Sequence, residues 1–344
     1  MNIAETRKLK DFIETKRAVL LTDLLFDLQQ ESPGFDWDNY LSFYMGHLNE
    51  SLSSNNTAVF SKFLSWSRSV GRHHSIKALE ADTITKKLAA LSGRHLPREW
   101  QEEFIRFLEE SRFRSEKAEP EAQSFLEVDS GLESLASEYF ETLISGDRNK
   151  ASKLVMDAVA GGVPVKDIYL KVFQPGLWEL GRLWQMNRIS VGQEHFFTAA
   201  TQMIISRLYP KIFSTERNGK RMMATAVGGE LHEIGIRMVS DFFEMDGWDT
   251  YYIGANCPAD ELLEELQKQR PDLLGVSVTL GSHIGTAHNL IRQIRDVPEL
   301  SGLKILIGGR ASLDHPDLFS NMEADGFALD AESAVTTANE VTGS

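Results

Sequence analysis

Up to residue 115, apolar positions recur three and four apart, as in LLTDLLFDLQQ (20–30), AVFSKFLSWSRSV (58–70) and WQEEFIRFLEESRF (100–113). That spacing predicts an all-helical domain over residues 1–115. The polar, proline-containing stretch RSEKAEPEAQ (114–123) reads as a linker. Further helical patterns fill residues 125–215. LESLASEYFETLI (132–144) comes first, then NKASKLVMDAVAGG (149–162), whose last two glycines stand in C-cap positions. VKDIYLKVFQPGLWELGRLWQM (165–186) follows, with a kink or break expected at Pro175. SVGQEHFFTAATQMIISRLYPKIF (190–213) opens on Ser190 and Gln193 at capping-box spacing. Short connections between these segments predict a four-helix bundle.

From residue 219 to 344 the texture changes. Apolar runs of strand length alternate with amphipathic helices: RMMATAV then HEIGIRMVSDFFEMDG, DTYYIGA then ADELLEELQKQR, LLGVSVTL then SHIGTAHNLIRQIR, KILIGG then a short helix, DGFAL then a last helix. Such alternation predicts a parallel sheet covered on both faces, a small doubly wound, Rossmann-like domain. Sheets of this kind bind ligands at the carboxyl ends of their strands. The fold class is therefore α plus α/β.

Composition narrows the partners. The 344 residues carry a net charge of −14, which disfavours direct nucleic-acid binding, since phosphates call for a basic face. The single cysteine, Cys257, excludes an intrachain disulfide and fits a reducing, cytoplasmic compartment. The first residues, MNIAETRKLKDF, lack a signal-type apolar core, and no apolar run has membrane-spanning length, so no membrane partner is expected.

The chemistry concentrates where the first strand hands over to its helix. His232 follows that strand and is read as the start of the helix, at the ligand edge, where a histidine can be a metal ligand, a proton carrier or an exposed polar residue. Glu230, His232 and Gly235 spell Glu-x-His-x-x-Gly, which resembles the Asp-x-His-x-x-Gly signature of the cobalamin-binding domain superfamily. Ser277 to Leu280 at the third strand end and Gly308-Gly309 at the fourth resemble that superfamily's Ser-x-Leu and Gly-Gly. The resemblance implies that His232 is the lower axial ligand of cobalt, in place of the cofactor's own benzimidazole. A carboxylate on its other ring nitrogen would fix the tautomer and raise ligand basicity. Glu230 stands where the superfamily has aspartate, which leaves a direct Glu230–His232 bond open. The glycines and Ser277 would let the backbone approach the displaced nucleotide tail.

The helices before the sheet resemble a narrower group, the cobalamin-dependent photoreceptors, whose caps carry Trp, nine intervening residues and Glu-His. Here these are Trp184, QMNRISVGQ and Glu194-His195. The resemblance implies adenosylcobalamin as chromophore, with Trp184 packed on the adenosyl group and Glu194 and His195 bonded to it. Light-driven loss of that group would shift the cap and change homo-oligomerisation, without catalytic turnover. The histidine that follows the tryptophan in the best-known members is Gln185 here. No DNA-reading pattern accompanies the module, and the downstream partner is not legible. Residues 1–115 are similar in layout to the globin-like sensor region of the photocobilins, which add biliverdin as a second chromophore. Arg72, His73, His74 and Arg94 are candidate bilin contacts, and any bilin there would be noncovalent, because that region has no thiol. Two alternatives stay open: a corrinoid methyl carrier serving separate methyltransferases, and a signalling scaffold with a vestigial cobalamin motif.

Overall fold

The structure is a computed structural model that describes the chain apart from residues 1–2, 33–34, 81, 118–123, 128–129, 187, 321 and 344, and apart from the side chains of 3, 4, 73, 74 and 80. Two compact units divide it: Met1–Ala122 with Gln185–Asn187, and Gln123–Trp184 with Arg188–Ser344.

The first unit is helical, as the spacing predicts: α1 Ile3–Glu31, α2 Trp37–Ser53, α3 Thr57–His74, α4 Lys77–Glu80, α5 Thr83–His95 and α6 Arg98–Glu116. Asp36 and Asn56 cap α2 and α3 through their side chains. Trp37, Tyr44, Phe60 and Phe104 are fully buried in its core. The expected linker begins later than the composition implies, because Arg112–Glu116 and Glu110–Arg114 ion pairs one turn apart carry α6 to Glu116. The rest of that stretch, 118–123, lies outside the described residues.

The second unit opens with α7 Glu133–Ile144, α8 Arg148–Ala160, α9 Val165–Ile168, α10 Gln174–Gln185 and α11 Val191–Ile212. Gly161 and Gly162 close α8, and the Ser190–Gln193 capping box starts α11. The helical run continues through Pro175, the second residue of α10; in place of the expected break, a π-helical turn, Tyr169–Phe173, ends two residues before it. The wider turn accommodates a residue that has no N–H to donate and whose ring crowds the preceding turn.

Parallel strands follow: β1 Arg221–Ala226, β2 Asp249–Gly254, β3 Leu273–Ser277, β4 Lys304–Gly308 and β5 Gly326–Ala328. Their order is β2-β1-β3-β4-β5, so the chain reverses direction across the sheet between β1 and β3. Intervening helices are α12 Ile234–Met245, α13 Ala259–Gln269, α14 Ile284–Arg295, α15 Arg310–Asp314 and α16 Pro316–Phe319, with α17 Ala331–Val341 last. Coverage on both faces holds for β1, β3 and β4, whereas the edge strand β2 leaves Tyr251 and Tyr252 exposed. The helices of this unit and its sheet share one core, in which Tyr139, Phe173, Phe197, Phe242 and Trp248 are fully buried. Among the described residues, no helix is long and apolar enough to cross a membrane.

Register aligns the strand ends. Ala226 pairs with Ser277, Ser277 with Gly308, and Gly308 with Ala328, a row of small residues along the carboxyl edge. Gly309 turns the chain at φ 105°, and a Cβ there would lie 2.4 Å from the Val278 carbonyl oxygen. Gly309→Ala is therefore expected to cost about 3 kcal/mol, from a forbidden φ plus a displaced β3 loop. A urea unfolding curve measures this, and a loss below about 1 kcal/mol contradicts it.

Candidate functional site

The site grows from the loop after β1, at the point where the strand order reverses. Val227 extends the ladder through its N–H to the Ser277 carbonyl (3.0 Å), and the Glu230 N–H returns to the Val227 carbonyl (2.9 Å). Gly229, at φ 83°, donates its N–H to the Asn256 side chain from the β2 loop (2.9 Å). Glu230 is thereby driven inward, with no exposed surface, and His232 outward, with 59% of its side chain exposed. His232 lies in the loop rather than opening the helix, which starts at Ile234.

The open question of the longer acid is answered by geometry. Oε1 of Glu230 meets Nδ1 of His232 at 2.5 Å and accepts the His232 backbone N–H at 3.2 Å. Oε2 accepts the backbone N–H groups of Thr279 (2.9 Å) and Leu280 (3.1 Å) and meets Nδ1 of His283 at 3.2 Å. One buried carboxylate thus joins the β1 and β3 loops. Burial raises the Glu230 carboxyl, but hydrogen bonds from His232 and His283 outweigh it and hold the group far below the usual carboxylate range. The hydrogen bond to Glu230 raises His232 against the opposing effect of burial, and the Glu194 charge adds to the rise. With Nδ1 engaged, Nε2 of an exposed, basic imidazole faces outward as a donor atom.

A second carboxylate–imidazole pair stands at the start of α11. Glu194 meets Nδ1 of His195 at 2.5 Å and accepts from Thr198 at 3.0 Å, leaving the His195 ring largely exposed. Two turns further along α11, Gln202 donates to Glu233 of the His232 loop at 2.8 Å, so α11 packs beside that loop. Trp184, at the end of α10, is 42% exposed and makes no hydrogen bond or ring contact with the others among the described residues. Leu280 joins through its amide, and Ser277 and Gly308 through the ladder. Gly235 faces open space, whereas Gly308 and Gly309 are required by close approach of Ala328 and Val278 of the chain itself. In the first unit, Arg72 and Arg94 are exposed in the last turns of α3 and α5, and the side chains of His73 and His74 lie outside the described residues. A polar cavity of about 370 Å³ in that unit has Glu103, Arg106, Glu110 and Arg114 among its lining residues, and neither Arg72 nor Arg94.

Sequence reasoning missed Asn256, Thr279 and His283. Only the placement of His283 just beyond the Ser277–Leu280 stretch hinted at a role.

Among the described residues no cluster of three or more His, Cys, Asp or Glu side chains is placed to hold a metal ion. One outward imidazole backed by a buried carboxylate fits a metal that brings its equatorial ligands with it, as in a corrin ring.

Residues 220–338 match a family model described as a B12 binding domain, and residues 135–209 match a second so described. A corrinoid protein of Desulfitobacterium hafniense is 24% identical over 215 residues, 61% of this chain and 98% of that protein. Dimethylamine corrinoid protein 3 of Methanosarcina acetivorans is 23% identical over 215 residues, 61% of this chain and 98% of its own. The HTH-type transcriptional repressor CarH of Myxococcus xanthus is 24% identical over 163 residues, 47% of this chain and 53% of the repressor. The structure of the Methanosarcina barkeri monomethylamine corrinoid protein aligns with TM-score 0.55 at 20% identity, over 61% of this chain and 99% of that one, a likeness of fold.

Proposed function

From the premise that the chain carries the B12-binding domains of the cobalamin-binding superfamily, we propose that it is a non-catalytic, adenosylcobalamin-dependent light receptor. The observation that carries corrin binding is the Glu230–His232 pair at the strand-order reversal, with the imidazole exposed. His232 would hold cobalt, and Glu230 would fix its tautomer. The cap residues support the adenosyl form. Trp184 offers an exposed indole to a large planar group, and Glu194 and His195 offer a hydrogen-bonding pair at the start of α11, the helix that bonds the His232 loop through Gln202 and Glu233. When bound, the cofactor supplies a weak cobalt–carbon bond that visible light breaks. The chain's part is to present these side chains and, once the indole loses its packing partner, to cover it again by moving the cap or by self-association. Biliverdin in the first unit is a separable part of this proposal.

A second reading, a corrinoid methyl carrier serving separate methyltransferases, is the one the relatives favour. The corrinoid proteins align over nearly their whole length, and the repressor over about half of its own.

Absorption spectra of protein purified after feeding with cobalamin, taken before and after green light, test both. A light-dependent change that Trp184→Ala alters supports the receptor. A spectrum unmoved by light, in protein that takes a methyl group from a methylated donor, supports the carrier and ends the receptor proposal. A red band in protein made with biliverdin decides the second chromophore.

A further inference from the structure

α12 leaves the His232 loop and packs against the helices of its own unit. On it, Asp241 is 4% exposed and, among the described residues, receives one hydrogen bond, from the Tyr169 hydroxyl at 2.8 Å. Tyr169 is fully buried and begins the π-helical turn. Arg237, one turn earlier on α12, is engaged elsewhere, by the Tyr209 hydroxyl (2.7 Å) and Ser206 (3.0 Å) of α11. It forms no ion pair with Asp241 among the described residues. Glu244, one turn later, is held by the Thr250 N–H and hydroxyl and by Arg217. From α9, the Lys166 ammonium lies 5.6 Å from the Phe242 ring centroid. Asp241 is thus an interior carboxyl with a neutral partner. Burial pushes it up to about 6, against the Tyr169 hydrogen bond and Arg237 and with a contribution from Glu244.

π-Helical turns are rare and mark functional positions in many proteins. Here the turn sets the Tyr169 hydroxyl on Asp241. We propose that the Tyr169–Asp241 pair is a proton-operated latch between the π-helical turn and α12. It is closed while Asp241 keeps its proton and loosened when the carboxyl is charged and draws water into the contact. The latch is independent of any cofactor. Beyond the turn lies α10, which ends near Trp184, so the latch governs the helix that carries the candidate cap residue.

The sign follows from linkage. The folded-state value exceeds the unfolded one, so the stabilisation is fully present below pH ~4. It is lost as pH rises through about 6. Hydrogen exchange at the amides of residues 165–177, in the full chain and corrected for intrinsic rates, is the test. Wild type is expected to open about tenfold more at pH ~7.5 than at pH ~5. Asp241→Asn, whose amide oxygen still accepts from Tyr169, is expected to flatten that profile, and Glu244→Gln to keep it. A flat wild-type profile overturns the latch, as does a profile flattened by Glu244→Gln and kept by Asp241→Asn. Should Asp241→Asn fail to fold, the carbon-13 titration of the wild-type Asp241 carboxyl decides. A midpoint near that of an ordinary aspartate overturns the latch, and one about two units higher supports it.

Discussion

Glu230→Ala is expected to destabilise the second unit by about 3–5 kcal/mol at neutral pH, a large share of a typical domain's stability. The carboxylate has no exposed surface, and its loss strands the Thr279 and Leu280 amides and the mostly buried His283 imidazole at once, while the exposed His232 ring loses its anchor. Water cannot reach a fully buried acceptor site without opening the loops, so each orphaned donor bears its desolvation cost. Glu230→Asp is the sharper test. Aspartate matches the superfamily signature, yet a side chain one methylene shorter cannot keep both the His232 bond and the bonds to the β3 loop. It is expected to lose one set, and corrinoid affinity should fall about 10–100-fold as the imidazole is left unsupported. Because Glu230 titrates far below its usual range, its contribution is present above the ordinary carboxylate range and shrinks on acidification. Urea unfolding at neutral and acid pH, with absorbance titration by hydroxocobalamin, measures both effects. A Glu230→Ala protein within about 1 kcal/mol of wild type at neutral pH would refute the two-loop role.

His232→Ala is expected to leave the fold intact, since the side chain is 59% exposed, and to abolish the lower ligand. In protein loaded with cobalt(II) cobalamin, wild type should show nitrogen splitting from a histidine in its electron paramagnetic resonance spectrum, and the variant should show none. His195→Ala serves as the comparison and should retain the splitting, because that imidazole lies at the start of α11. If His232→Ala keeps a histidine-ligated spectrum, the ligand is another residue, and His283, held by the same carboxylate, is the first to examine.

Sequence by itself determined the elements and their class. The three-to-four spacing up to residue 115, the Ser190–Gln193 cap and the paired glycines after α8 act within a few residues of chain, and they appear as the spacing predicts. Five apolar runs alternating with amphipathic helices likewise yield the parallel sheet. The Glu-x-His-x-x-Gly spelling marked the ligand edge, because a two-residue offset is also local. Tertiary structure alone decided which polar groups meet. Glu230 finds the Thr279 amide 49 positions away, and Tyr169 finds Asp241 72 positions away. Neither pairing has a local signature. The crossover that sets β3 beside β1, and the π-turn that carries Tyr169, create them by bringing distant segments to one buried place where polar groups must find their partners in each other rather than in water.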